Sequence, residues 1–104
     1  MYESKMKSKE TDRLVQAFLT LHSEEEVYRF LDDLCTYSEI LSMSQRLSVA
    51  LMLRKGETNA CIAQGVGVAP ATVTRVNKCL QYGSGGYELV LERLQKPKEG
   101  EKLD

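Results

Sequence analysis

Between Ala71 and Lys78 the chain gathers side chains suited to recognition rather than reaction. Thr72, Thr74 and Asn77 offer short hydroxyl and amide groups, Ala71 a methyl, and Arg75 and Lys78 two cations. On one helix these groups suit hydrogen bonding to base edges and ionic contact with phosphates, the two kinds of contact by which proteins hold duplex DNA. Asn59, Arg54 and Lys55 lie upstream and extend the set of DNA-contact candidates. The chemistry is non-covalent. The chain has no nucleophile elbow, no metal-binding pair of histidines and no dinucleotide fingerprint, so an enzyme is not expected.

The elements that must position these groups occupy residues 58–82, TNACIAQGVGVAPATVTRVNKCLQY. Ile62, Ala63 and Val66 fall on one helical stripe, and Val73, Val76 and Leu80 on a second, so each of two short helices has a face to bury. Gly65 and Gly67 between them supply the backbone freedom that a sharp turn needs. Pro70 suits the first turn of a new helix, where its missing N–H has no partner to lose. This is the layout of a helix-turn-helix, whose second helix enters the major groove. Ala63 supplies the small residue for close helix packing, and Val68 joins Ile62, Val66, Val73 and Val76 in holding the pair together. A helical hairpin inside a bundle, with no DNA role, would share the apolar stripes.

The rest of the chain reads as scaffold. Residues 1–9, with Lys5, Lys7 and Lys9, form a flexible N-terminus, either a loose end or a basic arm against phosphate. Leu14, Ala17, Phe18 and Leu21 give an amphipathic helix over Thr11–Leu21. Ser23 and Glu26 have capping-box spacing ahead of a helix carrying Val27, Phe30, Leu31 and Leu34. Thr36 and Glu39 repeat that spacing at the start of a long helix that runs to about Lys55. Its VALML segment, residues 49–53, is apolar on every face and calls for burial all round. Arg54 and Lys55 sit where cations either oppose the helix dipole or meet phosphate, and Gly56 stops the helix. Thr58 or Asn59 caps the next one. After the second motif helix, the glycines of YGSGG (82–86) make a connector, and Tyr87, Val90, Leu91 and Leu94 form a last stripe. Pro97 ends it, leaving residues 97–104 as a disordered tail. The domain proper is therefore 10–96.

With 104 residues, 42% of them hydrophobic and 28% charged, the chain supports one soluble domain of all-α class with about six helices. No apolar run approaches a membrane span and the N-terminus lacks a secretory segment, so a cytoplasmic location is expected. Cys35, Cys61 and Cys79 fit neither a disulfide framework nor a zinc site and read as free, mostly buried thiols. The lone His22 has no co-ligands in sequence, so no metal is expected. The net charge is only −1, which argues against a protein that coats nucleic acid indiscriminately. Its distribution is uneven: residues 10–39 carry −6, whereas residues 44–82 carry +4. A positive face on an acidic body favours docking on phosphate in one orientation.

Residues 36–94 resemble the Trp repressor superfamily, and more closely its YerC/YecD branch. The resemblance is carried by Arg46 in the long helix ending LRKG (53–56), by GVGVAPATVTRVNKCL (65–80) and by YGSGGYELVLERL (82–94). It implies an intertwined, all-helical homodimer that presents two motifs about one DNA turn apart to a palindromic operator, and it makes double-stranded DNA the partner. In that family two arginines sandwich a corepressor. Their counterparts here are Arg46 and Arg75, and Thr36 and Thr72 match positions around the same pocket. Val76, however, stands where the Trp repressor has a glycine that gives the ligand room, and Cys79 replaces a serine that helps to bind it. The added isopropyl group argues against tryptophan as effector.

The leading expectation is thus a dimeric, sequence-specific transcriptional regulator, a repressor by resemblance. Two other readings stay open. The same helices could dock a partner protein, or Arg46 and Arg75 could grip the carboxylate of a small effector, a task suited to the planar arginine fork. A salt bridge from Arg46 to Glu39 is the alternative for the first of these arginines.

Overall fold

The computed structural model describes residues 2–95, which form six α-helices: α1 (Lys9–Leu19), α2 (Glu24–Leu34), α3 (Tyr37–Arg54), α4 (Asn59–Val66), α5 (Pro70–Tyr82) and α6 (Gly86–Gln95). The tail expected from residue 97 lies outside the described residues. Among the described residues no helix is long and apolar enough to cross a membrane. The chain divides into two compact units at the Ile40–Leu41 junction.

The first unit holds α1, α2 and the opening of α3. α1 begins two residues earlier than its apolar stripe suggests, because Ser8 accepts the Thr11 N–H (3.1 Å) and serves as N-cap. It also ends earlier. The Thr20 hydroxyl donates to the Ala17 carbonyl (2.6 Å), so Leu21 lies beyond the helix. Ser23 caps α2 by accepting the Glu26 N–H (3.2 Å), while the Glu26 carboxylate reaches one residue further than a regular capping box and accepts the His22 N–H (2.7 Å). Phe18 and Phe30 meet edge to face with centroids 5.1 Å apart. Even so, α1 and α2 bury no residue fully, and Leu14, Phe18, Val27 and Leu34 remain 37–46% exposed.

The second unit has a conventional core. Val49, Ala50, Ile62, Val73, Val76 and Leu91 are buried, and Leu47, Leu51, Met52, Leu53, Ala63, Val66, Val68, Leu80 and Tyr87 pack against them. Every helix of the unit contributes. The VALML segment behaves as its composition requires, with Val49 and Ala50 fully enclosed and the other three partly so. α3 stops at Gly56, whose φ of +87° suits a residue without Cβ. The Glu57 N–H returns to the Met52 carbonyl (3.2 Å) and the Gly56 N–H to Leu53 (3.0 Å), the paired bonds of a Schellman end.

Candidate nucleic-acid interface

The α4–α5 pair is built from local chemistry at every joint. Thr58 rather than Asn59 is the N-cap of α4, its Oγ1 accepting the Cys61 N–H at 3.3 Å, and Asn59 becomes the exposed first residue of the helix. The turn depends on one glycine, not two. Gly67 is left-handed (φ +83°, ψ 39°), and its N–H and that of Val68 both return to the Ala63 carbonyl at 3.0 Å. Gly65 lies inside α4 with ordinary helical backbone, so the sequence-based assignment of both glycines to the turn is corrected. Ala69 provides no side-chain cap for α5, and Pro70 occupies the first turn. The Thr72 N–H instead reaches the Ala69 carbonyl at 2.9 Å.

Ile62, Val73 and Val76 are fully or almost fully buried and fix the rotation of α5 about its axis. That rotation leaves Ala71, Thr74, Arg75 and Lys78 exposed on one stripe. Thr72 and Asn77 flank the stripe and are partly buried, so they are less outward than the sequence alone suggests. The Thr74 hydroxyl donates to the Pro70 carbonyl (3.2 Å), and Asn77 Oδ1 accepts from Gln81 Nε2 (3.4 Å). Among the described residues neither Arg75 nor Lys78 is engaged in an ion pair, so both cations are turned to solvent.

The flanking cations differ from one another. Lys55 is exposed in the turn after α3. Arg54, expected either to cap α3 or to meet phosphate, instead pairs with Glu88 of α6, Nη1 to Oε2 at 3.2 Å. Glu88 in turn sits in the first turn of α6, where a carboxylate is favoured by the helix dipole. No spacing rule links residues 34 positions apart. An acid near the start of a helix was the only signal the sequence offered.

Of the residues matched to a corepressor pocket, Thr36 takes part in a helix cap. Thr36, in the first unit, closes a complete capping box: its Oγ1 accepts the Glu39 N–H (3.1 Å), and Glu39 Oε1 accepts the Thr36 N–H (2.8 Å). The Thr36 N–H, aided by its hydroxyl, holds the Glu39 carboxyl below its ordinary value of 4.5. The partly buried Arg46 makes no ion pair among the described residues, so the alternative of a salt bridge to Glu39 is not found there. In the second unit the Val76 isopropyl group fills core space. The thiols also depart from expectation. Cys61 and Cys79 are exposed and only Cys35 is partly buried, because the first two lie off the apolar stripes of α4 and α5.

Comparison with known proteins agrees with this arrangement. The Trp repressor protein family profile matches residues 9–95, essentially the whole described chain. The chain is 47% identical over 95 residues to YerC of Bacillus subtilis (strain 168), a protein described as uncharacterized, with 91% of each chain covered. The crystal structure of a TrpR-like protein from Eubacterium eligens ATCC 27750 superposes with a TM-score of 0.82 at 46% identity, covering 90% of this chain and 97% of that one. A candidate Trp repressor from Staphylococcus aureus gives the same TM-score and identity, covering 88% and 91%. A helix-turn-helix on a six-helix frame, matched over nearly its full length in sequence and in shape, places the chain in the Trp repressor family.

Proposed function

We propose that the chain is a sequence-specific DNA-binding regulator, a repressor, that acts as a homodimer. The observation that carries this reading is the α5 stripe of Ala71, Thr74, Arg75 and Lys78, exposed and framed by a core that fixes its direction. Its side chains are short and polar near the start of the helix and cationic further on, as a helix lying in the major groove requires. Between Ala71 and Lys78 the stripe carries no large apolar side chain of the kind that anchors a protein-docking face. Ala71, Thr74 and Arg75 face base edges, Lys78 and Lys55 face phosphates, and Thr72, Asn77 and Asn59 support from the flanks.

The dimer is supported by the first unit. Apolar stripes of α1 and α2 that stay 37–46% exposed call for a covering partner, and a second copy supplies an equivalent stripe. Two motifs related by a two-fold axis then read a palindrome with half-sites about 34 Å apart. Arg75 is assigned to DNA rather than to a ligand clamp, since Thr36 serves a helix cap and Val76 serves the core.

Selection of bound duplexes from a random pool, at salt high enough to weaken non-specific phosphate contact, tests the reading. Enrichment of two-fold-related half-sites is the expected result. Recovery of no motif, together with a specific protein captured on the α5 face, would replace it with the docking reading.

A further inference from the structure

One large side chain on the α5 stripe remains unaccounted for. Tyr82, the last residue of the helix, is 80% exposed, and among the described residues its hydroxyl makes no hydrogen bond. It contributes nothing to the core, in contrast to Tyr87 five residues on, which packs against it. Its position is not random. Residues 71, 75, 78 and 82 follow one another at intervals of four, three and four, so Tyr82 continues the line of Ala71, Arg75 and Lys78.

The connector beyond it keeps the phenol uncovered. Gly83, Gly85 and Gly86 have no side chains, and Ser84 is the single exception. Gly83 is obligatory there, since a Cβ would run into the Cys79 carbonyl that accepts the Gly83 N–H. Gly85 has φ of +82°, a conformation that larger residues resist. The connector therefore has little side chain with which to shield Tyr82, which stays exposed.

We infer that Tyr82 is a further DNA-contact residue, donating its hydroxyl to a phosphodiester oxygen at the rim of the major groove; this rests on the DNA-binding reading above. The helix rise decides between base and backbone. At about 1.5 Å per residue, Tyr82 stands about 16 Å along α5 from Ala71 and about 10 Å from Arg75. The major groove is only about 12 Å wide. With the start of α5 at the base edges, its far end has left the groove floor and meets the phosphates that border it. A neutral hydroxyl there forms a charge-assisted bond without displacing a counterion.

The test uses the full chain and a fluorescently labelled duplex carrying the selected site, with anisotropy measured across a salt series. Tyr82→Phe is expected to weaken binding about tenfold or more on every duplex, the worth of one charge-assisted hydrogen bond lost from each protomer, with the slope of affinity against salt unchanged. Thermal melting should be unaltered, as befits a side chain outside the core. Full affinity in Tyr82→Phe overturns the assignment, even if Tyr82→Ala binds weakly, because the hydroxyl would then be idle. A changed base preference in reselection with Tyr82→Phe also overturns it, in favour of a base contact. If the wild-type chain binds no duplex specifically, the DNA reading itself fails and the Tyr82 assignment falls with it.

Discussion

Glu88→Gln isolates the one flanking cation that the fold withholds. Arg54 and Glu88 are 3.2 Å apart with side chains 31% and 55% exposed, so the pair is well screened by water and contributes about 0.2–1 kcal/mol. Losing the carboxylate from the first turn of α6 removes a further 0.3–1 kcal/mol or so of helix-dipole stabilisation. A total near 1 kcal/mol lowers Tm by about 4–8 °C in a domain of this size, measured at fixed protein concentration because the Tm of the proposed dimer would depend on it. DNA binding should move the other way. The freed guanidinium of each protomer can take a phosphate, steepening the slope of log K against log salt by about 1.8 for the proposed dimer, so that affinity falls about 12-fold more across a fourfold rise in salt. Calorimetry and a salt series of anisotropy titrations read both effects, with Arg54→Ala as the control that loses the pair without gaining a contact. Lower Tm with weaker DNA binding would refute the reasoning, since Glu88 would then be holding Arg54 in place for the duplex.

Other substitutions probe other joints. Thr74→Val, which removes an exposed hydroxyl from the start of the stripe, should change the base preferred at one position of each half-site in reselection while leaving non-specific affinity intact. Gly67→Ala should cost about 1–2 kcal/mol in urea unfolding, because its left-handed backbone opposes a Cβ although the space around it is empty. Asn at 67 should recover part of that loss, whereas at Gly83, where the obstacle is the Cys79 carbonyl, Asn should fare no better than Ala. The pH dependence follows from Glu39. Its folded pKa lies below the ordinary 4.5, so its stabilisation is present above that value and is lost as pH falls through the lowered one. Glu39→Gln should therefore flatten the decline of stability below pH 4.5, as followed by chemical denaturation at stepped pH.

Local chemistry was readable in advance wherever one segment sufficed to determine it. The stripes of α4 and α5, the Thr36–Glu39 box and the Gly56 stop all depend on residues within one or two turns of each other, and sequence spacing contains that information. Gly65 shows the limit: two glycines two residues apart look equally fit for a turn, and only the return of the Gly67 and Val68 N–H groups to Ala63 separates them. The ends of α1 moved because Ser8 and Thr20 bond to the backbone more decisively than the apolar stripe fixes its own length. Arg54 was legible as a cation near the motif but not as the partner of Glu88, which requires α6 to fold back beside the end of α3. Exposed Cys61 and Cys79 follow from helix rotation, which residue type does not encode.

The claim that α5 is the DNA-reading helix is tested most directly by Arg75→Ala combined with Lys78→Ala, titrated against a labelled selected duplex. Both side chains are exposed and outside the core, so the double variant should melt like the wild type. Loss of specific binding, with a salt slope shallower by about 1.8 as Lys78 of each protomer of the proposed dimer loses its phosphate, is the expected result. Undiminished affinity and an unchanged slope in a folded double variant would contradict the assignment of this helix to DNA.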